Sequence, residues 1–507
     1  MLNRERIVSE AVAQILGTVK YIVPETILIL AVCVNFLAGP FLVSEKGEAP
    51  AGLRHKWGWL ALIAIALSGL AWWNQSAEPL NYPNGPFQLD SLALFVRGLS
   101  LAAAAILVLI GWNQIDDAHA AEFHACLLLI SAGVTLTAAA NDIIALFLAL
   151  ELVSIPTYVL IYLPRRDAAA QEATLKYFLL SVFSSAILLY GMSFLFGVTG
   201  TTNLTAIQAA ITTGAGGAMP AVLLLAIVAV VAGLCFRLTA VPFHFYAPDV
   251  FQGAPTTGAA MLAFVPKIAG FVALLRLIAF PVDVSRNSNW SLVGMALPLL
   301  TVVAIASMLV GNLVALLQTN VKRMLAWSSI SHAGYMLVGI VAGPTTTGTV
   351  NGTDALLFYL VAYGAMTIGV FAALSALGRS GRSYETLDDL AGLSQSHPAI
   401  ALLMTVFLFS LTGLPPTAGF LGKLNLFLAA WSGSSVSKTL AIVLAINAGI
   451  AAWYYLKVVA TMYLHPLRRP TEGKVELPAL IGLAICAAAT LGFFALPNLL
   501  WTIIRGS

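Results

Sequence analysis

The chain has 507 residues, 60% of them hydrophobic and only 9% charged, whereas a soluble domain carries roughly 25% charged residues. That composition excludes a water-soluble fold, and apolar runs of roughly 20 residues, each able to cross about 30 Å of hydrocarbon, point to a single helical membrane bundle. The net charge of +3 comes without a clustered basic stripe, which argues against nucleic acid as a partner.

Apolar runs bounded by glycine, proline and charge predict an all-α integral membrane protein of about 14 transmembrane helices, at 21–43, 57–74, 89–113, 122–140, 142–163, 175–197, 219–241, 258–280, 292–317, 324–342, 354–378, 398–430, 438–464 and 477–504. The stretch Met1 to Glu10 mixes Arg4 and Arg6 with Glu5 and Glu10 and lacks a small-residue cleavage site after its first apolar run, so the first span reads as retained. Cys33, Cys126, Cys235 and Cys486 are widely separated, lie in apolar runs and have neither metal-site nor iron–sulfur spacing. They read as small buried hydrophobes.

Loops after odd-numbered spans hold twelve basic residues: Lys46, Arg54, Lys56, Arg165, Arg166, Lys322, Arg323, Arg379, Arg382, Arg468, Arg469 and Lys474. Loops after even-numbered spans hold two, Arg286 and Lys438. Positive residues gather on the cytoplasmic side, which predicts odd loops inside and both termini on the non-cytoplasmic side of the inner (cytoplasmic) membrane. Arg4, Arg6, Lys20 and Arg505 add a smaller signal on the outer face.

An ionisable residue at membrane depth costs roughly 2.5–3.5 kcal/mol on insertion scales and is a functional candidate for that reason. Taken in chain order, Arg97 is expected to pair with Asp90, seven residues earlier. Glu151 lies about nine residues into its span, far from either water phase. Lys176, Arg276 and Lys457 lie near span ends and are expected to snorkel. Arg237 precedes the run Val241-Pro242-Phe243-His244-Phe245-Tyr246-Ala247-Pro248-Asp249-Val250-Phe251-Gln252-Gly253-Ala254-Pro255, whose prolines interrupt a helix. Lys267 follows Pro266 near the middle of the eighth span, with no counter-ion within four residues. Lys423 follows a second interruption, Gly413-Leu414-Pro415-Pro416-Thr417-Ala418-Gly419-Phe420-Leu421-Gly422.

Backbone broken at membrane depth survives where it lines a polar cavity or is packed in protein. Two such breaks about five spans apart, each beside a basic residue, point to inverted repeats. The expected organisation is an N-terminal three-helix segment (1–121), two inverted five-helix repeats of spans 4–8 (122–280) and 9–13 (292–464), and a C-terminal helix (465–507). Desolvation lets a buried lysine lose its proton near neutral pH, so Lys267 and Lys423 suit proton relays, with His244 and His332 able to bridge them. The chain offers no motif for a redox cofactor.

Phe147-Leu148-Ala149-Leu150-Glu151-Leu152-Val153-Ser154-Ile155-Pro156, Leu175-Lys176-Tyr177-Phe178-Leu179-Leu180-Ser181, the run around Asp249 and Asn320-Val321-Lys322-Arg323-Met324-Leu325-Ala326-Trp327-Ser328-Ser329-Ile330-Ser331-His332-Ala333-Gly334-Tyr335 resemble signatures of one family. It is the antiporter-like membrane subunits of complex I type NADH:quinone oxidoreductases, and the resemblance runs from about Glu122 to Tyr463. The wording Pro248-Asp249-Val250-Phe251-Gln252-Gly253-Ala254-Pro255 is similar to the subunit N branch rather than to subunits M and L. The resemblance implies proton translocation driven by remote quinone reduction. Its central polar axis would run through Glu151, a basic residue in the seventh span, Lys267 and Lys423.

It further implies a non-redox subunit, with FMN and iron–sulfur clusters in partner subunits, and as partners the neighbouring subunit M, small membrane subunits and the lipid bilayer. Where the family usually has lysine in its seventh span, this chain has Arg237, which is effectively never deprotonated. Multi-subunit Na⁺/H⁺ antiporters and membrane-bound hydrogenases share the fold and most of these motifs and remain alternatives. A solute carrier would present a substrate pocket at the broken helices, and nothing in the sequence suggests one.

Overall fold

The computed structural model describes residues 20–44, 48–75, 85–164, 167–212, 219–278, 292–343, 350–378, 384–468 and 476–505. Met1 to Glu10, Lys46, Arg165, Arg166, Arg286, Arg379, Arg382, Arg469 and Lys474, which carried part of the topology argument, lie outside these residues.

In chain order the helices are α1 (Val23–Ala38), α2 (Leu53–Gln75), α3 (Ser91–Gly111), α4 (Ala120–Ala139), α5 (Ile143–Tyr162), α6 (Ala168–Thr199), α7 (Leu204–Thr212), α8 (Pro220–Leu238) and α9 (Ala247–Gly253). There follow α10 (Thr256–Leu277), α11 (Leu292–Ala315), α12 (Val321–Ala342), α13 (Gly352–Leu377), α14 (Pro398–Thr412), α15 (Ala418–Trp431), α16 (Ser435–Leu464), α17 (Leu477–Ala495) and α18 (Pro497–Arg505). Among the described residues, thirteen helices are long and apolar enough to cross a membrane. The shorter α14 and α15, of 15 and 14 residues, follow one another across the second interruption. Together they make up the span expected at 398–430.

Local chemistry sets where the helices begin. Asp90, Asp142 and Asp167 accept from the first-turn amides of α3, α5 and α6, and Asn320 and Asn351 do the same for α12 and α13. Each side chain satisfies a helix N–H that has no partner within the helix. The last expected span, 477–504, is divided: α17 ends at Ala495 and the chain turns at Leu496. Pro497 has no N–H with which to continue the ladder.

The tightest core surrounds α10, which is buried along its whole length, with α12 and α13 nearly so. Helix α13 packs on α10, α12, α14, α15 and α17. Helices α1 and α2 lie at the rim and turn large apolar side chains outward, among them Leu30, Trp59 and Leu70.

Two expected charge placements are corrected. Arg97 pairs with Glu25 and not with Asp90: Arg97 Nε donates to Glu25 Oε1 at 2.7 Å, and Nη2 donates to Glu25 Oε2 at 3.1 Å and to Tyr21 O at 2.6 Å. Asp90 lies two turns from Arg97 on the same helix, too far to reach, and caps that helix through Ala93 N at 2.9 Å. Arg276 does not snorkel. It is buried, donating to Asp90 from both Nη1 and Nη2 at 2.6 Å and from Nε to Ala138 O at 2.8 Å. Lys176 keeps a partly exposed side chain, and Lys457 is exposed.

Candidate functional site

The first broken helix is α8, the turn at 239–246, and α9. Helix α8 ends at Leu238 with Thr239 in the left-handed conformation at φ 57°. Arg237 stands in its last turn, where a cation meets the negative end of the helix dipole. Its Nη2 donates to Glu151 Oε1 at 2.7 Å and to Ser185 Oγ at 3.2 Å, while Nη1 donates to Leu150 O at 3.0 Å and to Ser154 Oγ. Ser185 Oγ donates to the same Glu151 oxygen at 2.6 Å. Three helices, α5, α6 and α8, thus hold one ion pair. The Arg237 side chain is 5% exposed and that of Glu151 20%.

Lys267 on α10 lies against the same helix end. Its Nζ donates to Leu238 O at 2.7 Å and to Thr239 Oγ1. The two helices can approach here because Gly270 lacks a Cβ, which would stand 2.7 Å from Leu238 Cδ2.

The second broken helix repeats the arrangement. Helix α14 ends at Thr412 with Gly413 at φ 91°, and Lys423, six residues into α15, folds back so that its Nζ donates to Leu411 O at 2.8 Å and Thr412 O at 2.9 Å. A Cβ on Gly413 would stand 2.9 Å from Lys423 Cδ. Both lysines therefore cap a helix that stops inside the bundle, where unsatisfied carbonyls and the helix dipole favour a cation. Among the described residues neither ammonium is paired with a carboxylate, and both lysines are buried.

His332 on α12 lies between them, fully buried. Its Nδ1 is 2.6 Å from Tyr359 Oη and its Nε2 3.0 Å from Tyr455 Oη. The ring centroids of Tyr335 and Tyr363 lie 5.3 and 5.0 Å from that of the imidazole. Tyr335 links His332 to the second break, because Lys423 Nζ sits 4.9 Å from the Tyr335 ring centroid. Toward Lys267 the neighbours are Tyr363 and Phe264, 6.4 Å apart by ring centroid. His244, in the turn after α8, is half-buried against Trp327 of α12 at 5.5 Å between centroids. It joins neither lysine by a direct hydrogen bond.

Sequence reading missed the polar cluster beyond His332. Asn312 Nδ2 donates to Tyr335 Oη at 2.9 Å and to Asn447 Oδ1 at 3.1 Å, and Tyr454 Oη donates to Asn312 Oδ1 at 3.0 Å. Tyr363 Oη donates to Ser329 Oγ at 3.0 Å, and Ser328 Oγ pairs with Tyr455 Oη. The available signal was Asn312, in the last turn of α11, and Asn447, well inside α16, two amides within apolar spans. Lys322, counted as a loop residue, is buried in the first turn of α12 and donates to Ala254 O, the C-cap of α9, at 3.0 Å.

Half-helices ending inside the bundle, each end occupied by a buried lysine, define a polytopic membrane protein of the antiporter-like, broken-helix class. The sequence model of the family described as NADH:quinone oxidoreductase/Mrp antiporter, TM, matches residues 140–449. A protein of Trichlorobacter lovleyi named NADH-quinone oxidoreductase subunit N is 39% identical over 95% of this chain and 95% of its own length. A chain of respiratory complex I from Thermus thermophilus superposes with a TM-score of 0.78 at 30% identity, covering 96% of this chain and all of that one. A chain of the Mrp complex of a Dietzia species, at 21% identity and a TM-score of 0.76 over 95% of this chain and 96% of its own, shares the fold alone. The chain belongs to the NADH:quinone oxidoreductase/Mrp antiporter transmembrane family.

Proposed function

We propose that this chain is the proton-translocating, subunit N type membrane component of an NADH:quinone oxidoreductase, carrying protons along an axis of Glu151, His244, Lys267, His332 and Lys423, with Arg237 beside Glu151 as its fixed charge. The observation that supports this most is the pair of buried lysines, each seated on the interrupted end of a half-helix, with His332 between them. A lysine held by neutral carbonyls can bind or release a proton without stranding a counter-charge. Arg237 stays protonated, so its part is electrostatic: it fixes Glu151 and sets the field felt by Lys267. In this reading the subunit takes no part in the redox steps, and flavin and iron–sulfur chemistry belongs to partner subunits.

The division into two inverted repeats, 122–280 and 292–464, between a three-helix segment at 1–121 and a closing helix at 465–507, agrees with the two matching lysine-capped breaks. In the proposed orientation both termini face away from the cytoplasm. The partners are neighbouring membrane subunits, among them an antiporter-like subunit M. Identity of 39% to a relative named subunit N favours this reading over a Na⁺/H⁺ antiporter subunit.

The test is isolation of the tagged chain from its native membrane. Co-isolation with an FMN- and iron–sulfur-containing arm and NADH:quinone activity is the expected result; recovery with cation/proton exchange and no flavin would overturn it.

A further inference from the structure

Outside the Glu151–Lys423 line, the N-terminal part of the bundle encloses polar side chains that the proposed function does not use. Both amide atoms of Asn35 on α1, Nε1 of Trp57 on α2 and both ring nitrogens of His124 on α4 are buried and make no hydrogen bond among the described residues, and the same holds for Oε2 of Glu122. Asn35 and His124 are 0% exposed and Trp57 6%. Buried polar groups are normally paired, and leaving them dry is costly.

The helix registers bring these groups together. Ser68 Oγ on α2 donates to Pro24 O on α1 at 2.9 Å, and Gln75 Nε2 donates to Lys20 O at 2.7 Å, so α1 and α2 run antiparallel. Asn35 lies eleven residues on from Pro24, and Trp57 eleven back from Ser68. At about 3.6 residues per turn each has returned to the face of the Ser68–Pro24 contact, and at the same depth.

Helix α1 also lies on α4, since a Cβ on Gly39 would stand 2.7 Å from Ala121 Cβ. One turn deeper are Asn35 on α1 and His124 on α4. The start of α2 is tied to the turn before α4, where Arg54 N and Gly52 N donate to Asp117 at 2.7 and 3.2 Å. Trp57 and His124 are therefore both within two turns of the same end of the bundle.

We propose that Asn35, Trp57 and His124 form an internal hydration site, a pocket of ordered water reached from the aqueous phase past the half-buried Glu122. The amide, indole and a neutral imidazole present four N–H donors, and a water accepts two hydrogen bonds, so the pocket takes about two waters or more. It ends at His124. The next hydroxyl along α4, Ser131, is two turns away and already paired with Ser100 Oγ at 2.9 Å.

The experiment is X-ray radiolytic labelling of the intact complex, read by mass spectrometry, beside a map of the same complex that resolves water. Radicals formed from trapped water label the residues touching it, so buried Trp57 is expected to be labelled at low dose and the map to show water against Asn35 and His124. The double variant Asn35→Leu/His124→Phe should lose that labelling several-fold while quinone reduction and pumping stay at the parent level. A dry map, with these groups paired to one another or to another chain, overturns the proposal. Trp57 unlabelled in the parent, or labelled equally in the double variant, does the same. Should the double variant fail to assemble, the parent's map and labelling decide.

Discussion

Lys267 and Lys423 are held alike but not equally enclosed. Lys267 lies in the middle of a helix buried on every side, whereas Lys423 lies two turns into α15 beside a backbone already opened by Pro415 and Pro416. Lys267→Ala should leave the complex assembled and strongly lower coupled turnover and pumping; an unchanged gradient at unchanged quinone reduction would remove Lys267 from the pathway. Lys423→Ala should act in the same direction and more mildly, measured in the same vesicle assay. At Arg237 the proposed function calls for a fixed charge, held against Glu151 at 2.7 Å. Arg237→Lys should retain substantial pumping, while Arg237→Met, which leaves the Glu151 carboxylate without its cation, should impair coupling. Equal damage from both in an assembled complex would refute the charge-pair account. The Glu25–Arg97 pair is structural by contrast. Both side chains are fully buried, and removing one partner of a buried pair costs about 3–5 kcal/mol. Arg97→Ala should lower the thermal stability or yield of the complex, read by a melting assay in detergent.

At the scale of elements, the two interruptions decide where charge can sit. A continuous helix leaves no carbonyl free for an ammonium; a helix stopped by Thr239 or Gly413 leaves its last carbonyls to Lys267 and Lys423. Gly413 is required twice, by its φ of 91° and by the Lys423 stem 2.9 Å from where a Cβ would stand. An L side chain in the left-handed region costs roughly 1–2 kcal/mol. Gly413→Ala should therefore displace Lys423 and reduce pumping more than it reduces assembly, measured as the proton-to-electron ratio of purified complex. Gly419 is a second tight position: its Cβ would collide with Ser410 O, so α15 starts hard against the last turn of α14.

For the whole molecule, α12 connects what the breaks separate. Its first turn holds the other half of the first broken helix, with Lys322 on the Ala254 carbonyl and Arg323 Nη1 on Asp249 Oδ1 at 2.6 Å. Three turns on it carries His332, in reach of the tyrosines beside Lys423. One rigid helix thus spans from the clamp on α9 to the middle of the lysine line. Orientation is testable at this scale. Single cysteines introduced at Asp117 and Arg468, in loops expected inside, should resist impermeant thiol reagents in right-side-out vesicles, while one at Lys438 should react; the reverse pattern would invert the topology.

Much of this arrangement was legible in the chain. Spans, both interruptions and the depth of Glu151, Arg237, Lys267 and Lys423 follow from sequence alone, because hydrocarbon tolerates only self-satisfied helices of fixed length and penalises each charge locally. Only the tertiary structure decided which partner each charge takes. Arg97 finds Glu25 72 residues away, and Arg276 finds Asp90 186 residues away. Asn312, Tyr335 and Tyr454 become a cluster by the crossing of three helices. Spacing within a helix ranks neighbours on that helix, but pairing inside a bundle depends on rotation and depth between helices far apart in the chain, and no local pattern encodes these.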